Sequence, residues 1–347
     1  MEKQSSNIGW GIAFFTEIII IVVLIVVTGK LYVHNRYSLL QVETLEESDT
    51  SVNDGANAAV SNYTNIALFG LDARDDSYGV GYHSDTIMIA SINNTTNEVK
   101  IVSIYRDTML QVSDVVTKVN SAYSYGGGAL AVKTLNENLD LNVSEFITLN
   151  WVGMTRAIDA LGGITVSITD EELELLNHNL REQIKTTGMS SDGVSHSGEV
   201  TLNGAQALAY ARIVKNDRGD ITRVERQQTV ISKMIEKLRA SSLTDIDEMI
   251  EELFPYISTS ISEDQMIGLA ENLQDYELVD VSSFPYIYDF CTDDDNGTCI
   301  APADLTQNVT LLHLFLFETE GYTPSDTVQN LSRTISKHTG VYALKQD

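Results

Sequence analysis

Residues Gly9 to Val33, GWGIAFFTEIIIIVVLIVVTGKLYV, form one apolar run long enough to cross a hydrocarbon core of about 30 Å as a single helix. Such a run divides a chain before anything else is known of it, because whatever folds in water must lie to one side. No cleavage site of the A-x-A kind follows, so the run is expected to stay as an uncleaved anchor rather than be removed as a signal peptide. Glu17 lies inside it and is tolerated near one interface, which a span shifted toward Phe14 to Val33 provides. Residues 1–8 then form a short cytoplasmic tail. Lys3 before the run and Lys30 and Arg36 after it favour the opposite orientation, but long domains translocate largely regardless of flanking charge.

Beyond the anchor, residues 34–62 turn polar and acidic, and ETLEESDTSVNDGANAAVSN carries no Lys or Arg, which suits a solvated stalk or a frayed helix. The pattern then changes. IALFGLD reads as a strand, and DTIMIASI and EVKIVSIYRD around INNTTN read as a two-stranded hairpin by alternation and turn residues. VNSAYSYGGGALAVKTLNENL, NWVGMTRAIDALGG and LNGAQALAYAR carry apolar residues at helical spacing, the first with Gly126 to Gly128 inside it. GDITRVERQQTVISKMIEKLRA reads as a long helix with Val224, Ile231, Ile235 and Leu238 on one stripe. Alternating strands and helices predict an α/β fold, a mixed central sheet flanked by helices, over residues 63–240. Residues 241–347 read as an acidic, mostly helical C-terminal extension with LLHLFLF as a buried helix. Within it Cys291 and Cys299, in FCTDDDNGTC, either staple a short acidic loop or remain two free thiols. DDDN is followed by no EF-hand spacing and is read as an acidic turn.

The balance of 22 Lys+Arg against 49 Asp+Glu, net -27, excludes a broad basic surface and with it nucleic acid as a partner. Against that background Tyr210 to Gln228, YARIVKNDRGDITRVERQQ, concentrates Arg212, Lys215, Arg218, Arg223 and Arg226. Guanidinium groups bind phosphate oxygens in pairs and keep their charge when dehydrated, so the cluster points to a strongly anionic ligand. The competing reading is a charged, solvated helix face with Asp217, Asp220 and Glu225 as internal partners. Arg74 in GLDARDD and Arg106 in SIYRDT, beside acidic motifs at strand ends, favour the anion site. On the helix Arg223, Arg226 and Gln227 lie three or four residues apart and can share a face. Asp72 follows one strand and Asp85 opens the next, so their carboxylates can converge and hold a hard cation, Mg or Mn, that shares its shell with substrate phosphates. Alternatively they cap helices or pair with Arg74 and Arg106. There is no zinc-type His/Cys cluster and no G-x-x-x-x-G-K-[ST] loop, and the scattered His residues suggest no triad.

The ordered motifs GLDAR, HSDT, VSIYRDT, TKVNSAYSYGG, ALGGITV, LNGAQALAYAR and GDITRVERQQ, from about Asn65 to about Leu238, resemble the LytR-CpsA-Psr family of membrane-anchored phosphotransferases. The resemblance implies transfer of a glycopolymer, such as teichoic acid or capsule, from a polyprenyl pyrophosphate to a muramic acid hydroxyl of peptidoglycan. The reaction takes place outside the cell membrane and releases polyprenyl phosphate. It implies metal-binding and catalytic roles for Asp72 and Asp85, and a pyrophosphate grip by Arg74, Arg106, Arg212, Arg223 and Arg226 with Gln227. Asp107 and Asp220 match acidic positions that orient those arginines. Val214 stands where members often carry a second Arg, with Lys215 or Arg218 as substitutes. Asp85 is also a candidate base for the attacking hydroxyl, although one carboxylate cannot readily be both tight ligand and base. The helices from Val119 to Leu139 and Trp151 to Leu161 either line a lipid groove or are core. Two other readings stay open, a hydrolase acting on the same donor and a non-catalytic wall-polymer binder or regulator.

Overall fold

A computed structural model describes residues 33–50, 52–71, 79–187, 190–214, 220–272, 275–295 and 297–342. Apart from Val33, the expected anchor at 9–33 lies outside them, as does the tail at 1–8. Among the described residues no helix is long and apolar enough to cross a membrane.

The centre is a mixed seven-stranded sheet flanked by helices, as the alternating pattern predicts. In chain order its strands are β1 (Gln41–Val42), β2 (Tyr63–Leu71), β3 (Ser84–Asn93), β4 (Glu98–Ile104), β7 (Glu145–Asn150), β10 (Ile257–Thr259) and β11 (Glu277–Phe284), arranged β1-β10-β7-β2-β3-β4-β11. Two-stranded ribbons β5 (Met109–Val112) with β6 (Val115–Lys118), β8 (Ile164–Ile168) with β9 (Gly198–Leu202), and β12 (Tyr288–Asp293) with β13 (Gly297–Pro302) complete the strands described. The hairpin expected around INNTTN forms: β3 and β4 pair antiparallel with Met88 opposite Ser103.

Register brings several strand ends to one edge. Leu71 lies opposite Asn150 in the parallel β2–β7 pair and opposite Ser84 across β2–β3. Ile104 closes β4 at the same edge, beside Phe284 of β11. Consequently the residues that follow β2, open β3 and follow β4 and β7 are neighbours, and chemistry-bearing motifs far apart in sequence meet there.

The helices are α1 (Asn57–Val60), α2 (Ser121–Leu139), α3 (Trp151–Ala160), α4 (Asp170–Thr187), α5 (Gly204–Ala211), α6 (Asp220–Ala240), α7 (Leu243–Leu253), α8 (Glu263–Glu271), α9 (Leu305–Phe317) and α10 (Asp326–Thr339). Helix α2 is broken at Gly126 and Gly127, which leave helical backbone angles. The break lets the helix sit tightly on the sheet: a Cβ on Gly128 would lie 2.4 Å from Phe146 Cζ, so glycine is required there. Gly204 works likewise at the start of α5, where a Cβ would meet the Thr155 carbonyl oxygen at 2.0 Å. Its amide donates to Asp159 Oδ1 at 2.7 Å, fastening α5 to α3.

The main core joins Phe69, Leu71, Ile89 and Val102 of the sheet to Tyr123 and Leu135 of α2. A second core lies among β8, β9, α4 and α5, where Val166, Leu176, Leu180 and Leu202 are buried. Two expectations need correction. Residues 241–347 hold more helix than strand but are no separate extension: β10 and β11 are strands of the central sheet, and Phe284, Leu305, Val309, Leu312 and Ile335 belong to the main core. A three-residue strand and an exposed edge strand, ELVDVSSF, carry too little alternation to stand out in an acidic segment. Nor is residues 34–62 a free stalk. Arg36 pairs with Asp247 at 3.1 Å, Tyr37 Oη donates to the Ile261 carbonyl at 2.9 Å, β1 joins the sheet, and Val60 is fully buried.

LLHLFLF does form a buried helix, α9, although Leu314 faces out. Cys291 and Cys299 are bridged across the β12–β13 hairpin, which settles the choice between staple and free thiols.

Candidate active site

At the shared strand edge lies a cavity of about 310 Å³ between the sheet and α3, α5 and α6. Asp85, Arg106, Arg212, Arg223 and Gln227 all line it. The rest of its wall is mostly apolar and comes from three helix faces. Trp151, Met154 and Ile158 recur at i, i+3, i+7 on α3, and Ala207, Leu208 and Ala211 sit on α5. On α6 the face runs Arg223, Gln227, Val230, Ile231, so a single stripe passes from charged to apolar along the helix. Of the two helices read as lipid groove or core, α3 lines the cavity while the buried residues of α2 enter the main core.

Each polar group is positioned by its element. Arg106 Nη1 donates to Asp85 Oδ1 at 2.6 Å, and Asp107 lies 3.8 Å from Arg106 Nε while taking Lys118 Nζ at 2.9 Å. Asp107 thus stands between Arg106 and Lys118, closer to the lysine. Arg212 ends α5 with its Cζ 4.2 Å from the centre of the Trp151 ring, which keeps the guanidinium flat against an aromatic wall. Trp151 is held in turn because Asn150 caps α3, its side chain accepting from Gly153 N at 2.8 Å. Gln228 ties α6 to the sheet edge, donating to Ser103 Oγ at 3.0 Å and to the Ser282 carbonyl at 2.8 Å.

Arg226 is the exception among the expected arginines. It does not line the cavity but lies buried, bonded to Glu172 of α4 and, at 2.6 Å, to the Thr222 carbonyl. Burial alone would push the Glu172 carboxyl up. The Thr169 amide and the Arg226 guanidinium outweigh that and hold it below the usual carboxylate range. Arg226 joins α6 to α4, because successive helix positions turn by about 100° and residue 226 falls off the face of 223 and 227. Asp72, Arg74, Lys215 and Arg218 lie outside the described residues, as does the side chain of Asp220. Asp72 directly follows Leu71, which lines the cavity. Val214 is partly exposed.

Sequence reasoning missed Trp151, Asn150 and Glu172. Trp151 had a usable signal as a lone aromatic opening a helix, but Glu172 had none among so many acids.

The sequence profile of the LytR_cpsA_psr family matches residues 30–308, most of the chain and all of the cavity. The chain belongs to the LytR-CpsA-Psr family. A relative from Bacillus cereus (strain AH820), polyisoprenyl-teichoic acid–peptidoglycan teichoic acid transferase TagU, is 31% identical over 261 residues, covering 72% of this chain and 80% of the relative. The protein of the same name from Bacillus subtilis (strain 168) is 34% identical over 206 residues, 58% of this chain and 61% of its own. Among solved structures, TagT bound to LI-WTA shares the fold with a TM-score of 0.58 at 21% identity, covering 86% of this chain and 100% of that one. Lin1025 from Listeria innocua gives 0.53 at 26% identity, over 74% and 100%. Asp85, Arg106, Arg212 and Arg223, from motifs far apart in the sequence, thus line one cavity.

Proposed function

We propose that this LytR-CpsA-Psr protein is a phosphotransferase that moves an anionic glycopolymer from a polyprenyl pyrophosphate to a hydroxyl of peptidoglycan during wall assembly. One observation carries the reading: three arginines and a carboxylate line a cavity whose remaining wall is mostly apolar. A ligand with a pyrophosphate head and a hydrocarbon tail matches both ends at once, whereas a soluble nucleotide would leave the apolar wall in water. The names of the Bacillus relatives support the same substrates.

Arg106, Arg212 and Arg223 hold the nonbridging oxygens and offset the charge that spreads over them in the transition state. The apolar faces of α3, α5 and α6 receive the first isoprene units. Among the described residues no group of three His, Cys, Asp or Glu could cage an ion. Asp85, with Asp72 directly after the cavity residue Leu71, would hold a Mg or Mn ion, a cation commonly bound through one or two carboxylates plus substrate phosphates. Such an ion would supply further charge neutralisation. Arg106 already holds one oxygen of Asp85, so we assign Asp85 to binding rather than base duty. In a loose transition state the hydroxyl proton leaves late, to water. The anchor at 9–33 would keep the cavity at the outer face of the cell membrane, where the carrier lipid lies.

The experiment is incubation of the full chain in micelles with labelled polyprenyl-pyrophosphoryl glycan and peptidoglycan. The expected products are a glycan–peptidoglycan phosphodiester and polyprenyl phosphate. Free glycan phosphate with acceptor present would make the chain a hydrolase, and binding without turnover would make it a wall-polymer binder.

A further inference from the structure

A second cleft abuts the first, and Asp85 and Arg106 line both. Its lining differs. Tyr82, His83, Lys118, Asn120 and Asp295 line it, and no aliphatic side chain does. The loop carrying Tyr82 and His83 is fixed to α2 by Gly81 N donating to the Ser124 carbonyl at 2.9 Å. Asp295 comes from the tip of the β12–β13 hairpin. The Cys291–Cys299 bridge, an Asp293–His338 contact at 2.8 Å and an Ile300 N to Asp107 carbonyl bond at 3.0 Å hold that hairpin beside the Arg106 loop.

From this arrangement we infer that the polar cleft seats the acceptor sugar, with the disulfide-stapled hairpin as its outer wall. The inference rests on the phosphotransferase reading and adds the direction of attack. Displacement at phosphorus places the attacking and leaving oxygens roughly in line. The leaving polyprenyl phosphate has its tail in the apolar cavity, so the attacking hydroxyl must enter from the far side of the Asp85–Arg106 pair, which is the polar cleft. There a bond forms between the acceptor oxygen and the glycan-bearing phosphorus, and the bond from that phosphorus to the bridging oxygen breaks. The bridging oxygen keeps the electron pair and departs as polyprenyl phosphate, and the hydroxyl proton passes to water in the open cleft. The residue types suit a sugar: amide, imidazole, carboxylate and phenol offer donors and acceptors to hydroxyl groups, and the Tyr82 ring offers a flat face.

The test compares full-length chain with Tyr82→Ala and His83→Ala in the transfer assay, varying donor and peptidoglycan independently. The expected result is an acceptor KM raised about tenfold, the loss of roughly one hydrogen bond or stacking contact, with donor KM unchanged. His83→Gln, which keeps a hydrogen-bonding side chain, should recover part of the loss and serves as the readout should His83→Ala fail to fold. A raised donor KM with unchanged acceptor KM would overturn the inference by assigning the cleft to the donor's glycan, and no change in either would overturn it by showing the cleft idle. If the unsubstituted chain never releases polyprenyl phosphate, the phosphotransferase reading itself fails, and this one with it.

Discussion

Around Asp140 and around Asp85 the protein builds two polar clusters from the same materials and for different ends. Asp140, fully buried in a left-handed C-cap after α2, accepts from Asn53 Nδ2 at 2.7 Å, Ser325 N at 2.7 Å, Ser325 Oγ at 2.6 Å and Tyr322 Oη at 3.1 Å. Its acceptor sites are filled by donors from the segment before β2 and from the chain before α10, so it knits both to the end of α2. At Asp85 one carboxylate faces a cavity that Arg106, Arg212 and Arg223 also line. Three guanidinium groups around one open cavity suit a diphosphate, whereas the Asp140 cluster is closed on itself and serves stability.

The largest effect should come from Arg226, which belongs with the structural cluster despite its place in the arginine-rich motif. Arg226→Ala leaves Glu172 buried without its guanidinium and should cost about 3–5 kcal/mol in urea unfolding. An unchanged midpoint, with donor binding lost instead, would return Arg226 to the ligand site. Asp140→Ala strips an acceptor from several buried donors and should cost about 3 kcal/mol while leaving the turnover of the folded fraction intact. Arg223→Ala should do the reverse: kcat for transfer falls roughly 100-fold, as for loss of one transition-state donor, with little change in unfolding midpoint. Equal losses of stability and rate in either variant would erase the distinction between the clusters.

A smaller effect sharpens it through pH. His313, buried and stacked on Tyr322 at 3.7 Å between ring centres, is pushed down to about 4, chiefly by burial. Its unfolded form titrates near 6.5, so the unfolded chain takes up the proton first as pH falls. Stability is fully present above about 6.5 and is lost progressively down to about 4. Between pH 7 and pH 5 the loss should be about 2 kcal/mol, and His313→Gln should flatten that part of the profile. Smallest of all, Tyr322→Phe should cost about 1 kcal/mol, one hydrogen bond to Asp140, measured by the same unfolding curve.

Much of the sheet was legible because β2, β3 and β4 alternate strongly and INNTTN punctuates them. Four of the expected arginines and glutamines, Arg106, Arg212, Arg223 and Gln227, do line one cavity with Asp85. That Arg226 falls outside this cavity was not legible, because a helical spacing of three admits the same face without requiring it, and its partner Glu172 lies 54 residues away. β10 and β11 escaped notice since their pairing energy comes from strands already formed, not from their own pattern.

The residue order alone determined the apolar run near the start, the pattern that makes the central strands, and the family whose motifs occur in sequence. These are local, set by side-chain chemistry and spacing along a few turns or one hairpin. Only the tertiary structure decided that Arg223 and not Arg226 lines the cavity with Asp85, that the segment after 240 completes the sheet, and that a polar cleft backs onto that cavity. Each depends on contacts between residues dozens of positions apart, which register and packing fix and spacing cannot.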